Sequence, residues 1–306
     1  MNYIGSKNKL SGFLTDSIVQ YVGTLSDKVF CDLFAGTGTV GRSFKGQVAK
    51  VIANDIEPYS YCLNRNYIGN TQAIAQAEDF LEALRQLPPV QGFVYEHYCS
   101  PAERLYFSDA NGQMIDAMRQ QIAAWQQAGH IGEDLYYFLL ASLLESADKV
   151  ANTASVYGAF LKKIKKTAAA PLQLQEANFE LHEGTCEVYQ EDANKLIEKI
   201  EGDILYLDPP YNARQYGANY HLLNTIALYD HFVPQGKTGL RPGYYKSAYC
   251  RHQEAEQALA HLLDKARFRY IFLSYNNEGL IPFENIRNLM QSMGKYDLRT
   301  QEYQRF

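Results

Sequence analysis

The chain has 306 residues, 46% hydrophobic and 21% charged, the composition of an ordinary globular protein with room for one large domain or two. Its longest apolar runs, such as Ile204–Leu207, fall far short of a bilayer span, and its first ten residues (MNYIGSKNKL) lack a signal peptide's apolar stretch. With five scattered cysteines in no metal-ligand or disulfide pattern, this argues against secreted, membrane-spanning and metal-binding classes and for a cytoplasmic protein with reduced thiols.

The net charge of −5 gives no overall drive toward a polyanion, yet the charges are segregated. Lys162, Lys163, Lys165 and Lys166 form a basic cluster with no acid between Ala151 and Pro171. Four more cations (Lys237, Arg241, Lys246, Arg251) follow without an acid among them, while Glu176–Glu201 holds eight acids against Lys195 and Lys199. Such a chain can offer a basic groove, or simply a solvated surface.

In chain order, Val29–Phe34 reads as a buried strand running into the glycine-rich AGTGTVG, Lys50–Asn54 as a second strand and Glu57–Gly69 as a helix after it. Strand, glycine turn, helix and strand predict a parallel β-α-β unit. Gln72–Leu87, Gln113–Gln127 and Asp134–Val150 carry helical spacing with no strong strand between them. An α/β pattern returns near Cys186: Asp203–Leu207 is a strand ending in DPPY, Asn219–Asp230 a helix and Tyr270–Ser274 another strand. The expected architecture is an α/β fold whose parallel sheet comes from residues 1–70 and 181–306, interrupted by a mostly helical insertion at 71–180.

Gly36, Gly38 and Gly41 fit G-x-G-x-x-G after a strand, and Asp55 lies 19 residues beyond Gly36. Alone, this satisfies the dinucleotide fingerprint of a nicotinamide-dependent oxidoreductase. Asp32, just ahead of the loop, discriminates. A carboxylate beside the cradle would repel a pyrophosphate, whereas S-adenosylmethionine has no phosphate and carries an ammonium that Asp32 can pair with. Asp55 would then accept bonds from its ribose.

Asp208-Pro209-Pro210-Tyr211 follows the apolar strand ILYL, so its carboxylate is expected at the carboxyl end of a sheet strand, where open α/β folds place ligands. Two prolines remove two amide donors and stiffen the turn. Asp208 and a proline carbonyl make an acceptor pair for the two hydrogens of an exocyclic amine, and Tyr211 offers a face for stacking a base. Holding both hydrogens localises the lone pair that the aromatic ring otherwise delocalises, which makes the nitrogen a better nucleophile.

With these motifs in place the chain resembles the DNA amino-methyltransferases, the adenine-specific group that includes Dam-type enzymes. FAGTG, from Phe34, resembles their cofactor loop and DPPY their catalytic motif. YIGSK, Tyr3 to Lys7, resembles an N-terminal element that closes over the cofactor, with Tyr3 where tryptophan is common and Ser6 for the second glycine. Asn54-Asp55 resembles the ribose-binding acid, and Glu191-Asp192 the acid near the cofactor adenine, although Asp192 equally suits the cap of a helix starting near Ala193. The resemblance implies a Rossmann-like S-adenosylmethionine-dependent methyltransferase sheet, with target recognition in the insertion. Lys7 would pair with the methionyl carboxylate of the cofactor.

The implied reaction transfers a methyl group to the 6-amino group of a flipped adenine in double-stranded DNA; the alternative is a ribosomal RNA amino-methyltransferase. Flipping costs a few kcal/mol and stacking on Tyr211 returns about 1–3 kcal/mol, so phosphate contacts must contribute. Lys162, Lys163, Lys165, Lys166, the Arg241–Arg251 stretch and Arg214 are the candidates. A restriction-modification setting, with a cognate endonuclease acting separately, and a monomer in solution complete the expectation, while the presence of that endonuclease is not readable from the sequence.

Overall fold

The computed structural model describes residues 10–154 and 156–302, which form two compact units. In chain order the helices and strands are α1 (Ser11–Val22), β1 (Val29–Asp32), α2 (Thr39–Phe44), β2 (Lys50–Asn54), α3 (Pro58–Asn64), α4 (Ala77–Arg85), α5 (Phe93–Tyr98), α6 (Asp109–Gln127), α7 (Glu133–Lys149) and α8 (Lys166–Ala169). They continue with β3 (Thr185–Tyr189), α9 (Ala193–Leu196), β4 (Glu201–Leu207), α10 (Tyr216–Asn219), α11 (His221–Leu228), α12 (Ala255–Lys265), β5 (Arg267–Leu273) and α13 (Phe283–Met293). No helix among the described residues is long and apolar enough to cross a membrane.

The sheet unit takes residues up to Ile56, His182–Arg214 and the chain from Lys246 onward. Its five strands are all parallel, in the order β3-β2-β1-β4-β5. The central strands are continuous apolar runs because both of their faces are covered: Phe30, Cys31, Ile204 and Leu205 are inaccessible to solvent. Leu196, Leu259, Leu262 and Leu263 pack with Cys31, Leu33 and Leu207 in one core. On one side of β1 the chain winds outward through β2 and β3, and on the other through β4 and β5, so the order reverses between β1 and β4. A crevice at the carboxyl ends of those two strands is where such a sheet binds ligands.

The helical unit comprises Glu57–Leu181 and Gln215–Tyr245. It is larger than the expected 71–180 insertion because α3 and α11 contribute Tyr59, Leu63, Leu222 and Leu223 to its core. The Tyr59 and Tyr220 rings lie 5.3 Å apart, and the Asn224 side chain accepts from the Tyr59 amide while donating to Glu57. A π turn, Arg65–Gly69, extends α3. The amphipathic pattern of α7 is a core stripe, with Leu135, Phe138, Leu139 and Leu143 all buried.

His221 opens α11 with its ring fully buried, Nε2 donating to the Tyr157 carbonyl at 3.1 Å and Nδ1 without a partner. Burial holds its pKa down to about 4, so the unfolded chain takes up a proton below the ordinary value near 6.5 while the folded one resists it. Stability attributable to His221 is therefore complete above that value and lost on acidification, by about 2 kcal/mol at pH 5. Urea unfolding of wild type and His221→Asn at pH 7 and pH 5 should show the steeper acid loss in the wild type.

Candidate active site

The loop after β1 is shaped by backbone that glycine tolerates: Gly36 and Gly38 have φ of +54° and +79°, and Gly38 precedes the first residue of α2. Two carboxylates hold it. Asp32, 1% exposed, accepts the Gly41 amide on Oδ2 at 2.9 Å, and Asp55 accepts the Gly36 amide on Oδ2 at 2.8 Å. The sequence pattern brought both acids to the loop; it did not show that each ties down one of its glycines.

Asn54, noted in the sequence only as the neighbour of Asp55, is a further organiser. Its buried side-chain amide donates to the Leu33 and Glu191 carbonyls, and its oxygen accepts the Glu191 amide at 3.0 Å. One side chain thus joins the carboxyl ends of β1 and β2 to the segment after β3. Asp192 caps α9, accepting the Asn194 and Lys195 amides on Oδ1 at 2.9 and 3.2 Å, the local role open to it from sequence. Phe34 is half-buried and meets the Tyr249 ring edge-on at 5.1 Å. The Tyr249 hydroxyl donates to Asn194, and neither residue carries a motif that would have found it.

Register places the second half of the site. Asp32 pairs with Tyr206, and the Leu33 amide donates to the Tyr206 carbonyl at 3.2 Å. Two residues beyond each member of that pair are Phe34 and Asp208, so the glycine loop and the DPPY turn leave adjacent strands side by side. Strands spaced about 4.8 Å apart leave no room for a third element between them. Burial drives the Tyr206 phenol well above its ordinary range, and the carboxylates of Asp208 and Asp32 push it further the same way, so both acids lie within electrostatic reach of one ring.

Asp208 and Tyr211 are half-buried and Pro209 is buried. Tyr211 is held at both ends of its residue: its carbonyl accepts the Leu280 amide at 2.9 Å, and its ring meets Tyr275 edge-on at 6.2 Å. Tyr275 in turn accepts the Ile281 amide on its hydroxyl, and a Cβ on Gly279 would sit 2.0 Å from the Tyr275 ring, so the loop after β5 closes on that tyrosine only with glycine there. Arg214 is exposed.

The basic candidates divide. Lys162, Lys163 and Lys166 are exposed, but the Lys165 ammonium donates to the Thr153 carbonyl at 2.8 Å and its amide to Asn152, so that lysine fastens its own segment. Arg241 forms a two-pronged ion pair with Asp230 and lies 4.2 Å over the Phe232 ring, and Arg251 pairs with Glu254. Those two arginines are committed within the fold, which the absence of acids between Lys237 and Arg251 could not reveal. Tyr3 and Lys7 lie outside the described residues. All five cysteines are free thiols.

Comparison with known proteins places this arrangement. The chain is 62% identical to the Type II methyltransferase M.NlaIII of Neisseria lactamica, over 100% of this chain and 92% of that protein. It is 37% identical to M.CviAII of Paramecium bursaria Chlorella virus 1 over the same shares, and 40% identical to M.FokI of Planomicrobium okeanokoites over 96% of this chain and 47% of that longer protein. No solved structure matches. The family match itself runs from residue 3 to residue 289, across the glycine loop and DPPY alike, and the chain belongs to the D12 class of N6 adenine-specific DNA methyltransferases.

Proposed function

We propose that this enzyme uses S-adenosylmethionine to methylate the 6-amino group of an adenine flipped out of double-stranded DNA, with Asp208 as the catalytic acceptor. The observation that carries the reading is the side-by-side exit of the glycine loop and DPPY from β1 and β4. The residues around the loop suit this donor. Two carboxylates bound to loop amides form a negative setting that favours an ammonium and disfavours a pyrophosphate, which argues against the oxidoreductase alternative. In this reading Asp32, Phe34, Gly36, Gly38, Asp55 and Asp208 line the donor site. Asp192 contributes as well as capping α9, and Tyr3 and Lys7 are assigned to the same donor.

When bound, S-adenosylmethionine supplies a methyl group on a sulfonium whose sulfur takes the bond pair as the methyl leaves. Asp208 and a carbonyl of Pro209 or Pro210 accept the two amino hydrogens, localising the lone pair of the adenine nitrogen toward the methyl carbon. Their bonds strengthen as positive charge builds on that nitrogen. Tyr211 stacks on the base, and Pro209 and Pro210 keep the turn rigid so that the reactants stay at attack distance. The proton leaves the nitrogen after transfer, when the positive charge there makes it acidic enough for Asp208 or solvent to accept it.

The helical unit carries target recognition, with Lys162, Lys163 and Lys166 toward phosphates and Arg214 beside the flipped base. The enzyme acts as a cytoplasmic monomer in a restriction-modification pair with a separate endonuclease, as the Type II names of its relatives suggest. The ribosomal RNA alternative gains nothing from a family defined by DNA adenine. Labelled methyl transfer to duplex DNA and to deproteinised ribosomal RNA tests the proposal. DNA should be labelled only in the presence of S-adenosylmethionine, and sequencing should find the modification on adenine N6; labelling of RNA alone would overturn it.

A further inference from the structure

Within the helical unit, Gln235 and Leu240 exchange backbone hydrogen bonds at 2.9 and 2.8 Å and close a four-residue turn, Gly236-Lys237-Thr238-Gly239. The turn is built against the body of the unit. Arg104 donates from Nη2 to the Gly236 carbonyl at 3.1 Å and from Nε to the Lys237 carbonyl at 3.3 Å, and the Tyr98 hydroxyl donates to the Gly239 carbonyl at 2.7 Å. Gly239 has a φ of +68°, and a Cβ there would lie 2.8 Å from the Tyr98 ring, so only glycine lets the turn sit this close. Arg104 is itself anchored by a third bond, to the His97 carbonyl.

Those contacts dictate which way the amides face. In a trans peptide the carbonyl of one residue and the N–H of the next point in opposite directions, and no described peptide is cis. Because the Gly236 and Lys237 carbonyls converge on one guanidinium, the Lys237 and Thr238 N–H groups both project from the opposite side of the turn. Neither has a hydrogen-bond partner among the described residues. Lys237 is exposed, and no acid occurs from Lys237 to Arg251. Asp230, the nearby acid on the preceding segment, is bound by Arg241. Two successive amides facing outward, a lysine between them and a guanidinium beneath make a preorganised anion cradle, the arrangement that backbone nests use for phosphate.

We propose that the Gly236–Gly239 turn is a phosphate-binding clamp for the DNA backbone, with the Lys237 and Thr238 amides and the Lys237 ammonium gripping one phosphodiester. The assignment rests on the methyltransferase reading for the identity of the polyanion. Because the contact is to phosphate, it fixes the position of the duplex without reading bases. Arg104 is a positioning residue: it holds the carbonyls inward and keeps the amides presented.

Binding of the enzyme to a mixed-sequence duplex, followed by fluorescence anisotropy between about 50 and 200 mM KCl, tests this. Lys237→Ala should weaken binding about 10-fold near 0.1 M salt and lower the slope of log affinity against log salt by about 1. Lys28→Ala serves as the control, since Lys28 pairs with Asp27 just before β1, at the amino end of the sheet opposite the carboxyl ends, and should leave affinity within about 2-fold. Thr238→Pro, which deletes one amide, should also weaken binding. A proline there can distort the turn, so the amide resonances of Lys237 and Thr238 are followed in the unaltered protein as duplex is added, and both should shift. Wild-type affinity and slope in Lys237→Ala, or unmoved resonances, would overturn the clamp while DNA methylation by the wild type left the methyltransferase reading intact. A wild type that neither binds nor methylates duplex would overturn both.

Discussion

Asp208→Ala is expected to lower kcat for methyl transfer to duplex DNA by about 10²–10³-fold, the usual cost of deleting one preorganised group that bonds charge developing in the transition state. The Gly36 and Gly41 amides keep their carboxylate partners in this variant, so the glycine loop stays formed and binding of S-adenosylmethionine largely survives. Isothermal titration with the methyl donor and single-turnover kinetics separate the two effects. Asp208→Asn keeps one acceptor oxygen and adds a donor where the amine brings its own hydrogens, so it should recover little. Full turnover in Asp208→Ala would remove that residue from the chemistry and leave the proline carbonyls alone to polarise the amine.

The largest expected loss of stability lies far from the chemistry in sequence, at Asp116 on α6. Its carboxylate is inaccessible to solvent and accepts the amides of Gly92, Val94 and Tyr95 at 3.1, 2.9 and 2.8 Å, together with the Tyr229 hydroxyl at 2.6 Å. It therefore caps α5 from another helix, and Asp116→Ala strands four donors at once. A cost of about 3–5 kcal/mol is expected in urea unfolding at pH 7. Asp116→Asn should fall in the same range, because its NH₂ would face amides that also donate. Burial raises the carboxyl above its ordinary range despite these bonds, so the folded state holds the Asp116 proton more tightly than the unfolded one. Its contribution is consequently larger in acid and declines as pH rises above the usual aspartate value. The gap between wild type and Asp116→Ala should narrow from pH 4 to pH 7.

The central strands β1, β2 and β4 were legible because they are short runs of buried apolar residues, whereas β3, exposed or half-buried throughout, was not given as a strand. Lys50–Asn54 was placed to the residue, while the strand expected at Asp203–Leu207 begins at Glu201 and the one expected at Tyr270–Ser274 runs from Arg267 to Leu273. The short α5 carries no helical period of its own; it forms because Asp116 satisfies its first amides. The helices α1, α12 and α13 escaped notice for want of strong caps. None of the three has a side-chain cap. The reach of the helical unit was also hidden, since the buried bonds of Asn224 to Glu57 and Tyr59 join segments 167 and 165 residues apart. At the site, residue type and spacing pointed to Asp32, Asp55 and Asp208, while Asn54, Tyr249 and Tyr275 act through contacts that only the folded chain creates. The charge pattern misled for Lys165, Arg241 and Arg251, because an exposed lysine and one spent on a carbonyl or carboxylate look the same in a linear sequence.

The middle of the sheet has a consequence for how the enzyme comes into being. The amide that opens β1 is met by the Asp203 carboxylate, 174 residues later, and β1 pairs with β4 across the same interval. On a ribosome, β1 and β2 emerge with one flank waiting for partners that have yet to be translated, and closing so long a loop is slow. β4 in turn stays an open edge until β5 has been made. Modification of DNA thus begins only after the codon for Leu273 has been read, and a nascent chain cut short before Arg267 exposes a sticky strand instead of yielding a partly competent enzyme.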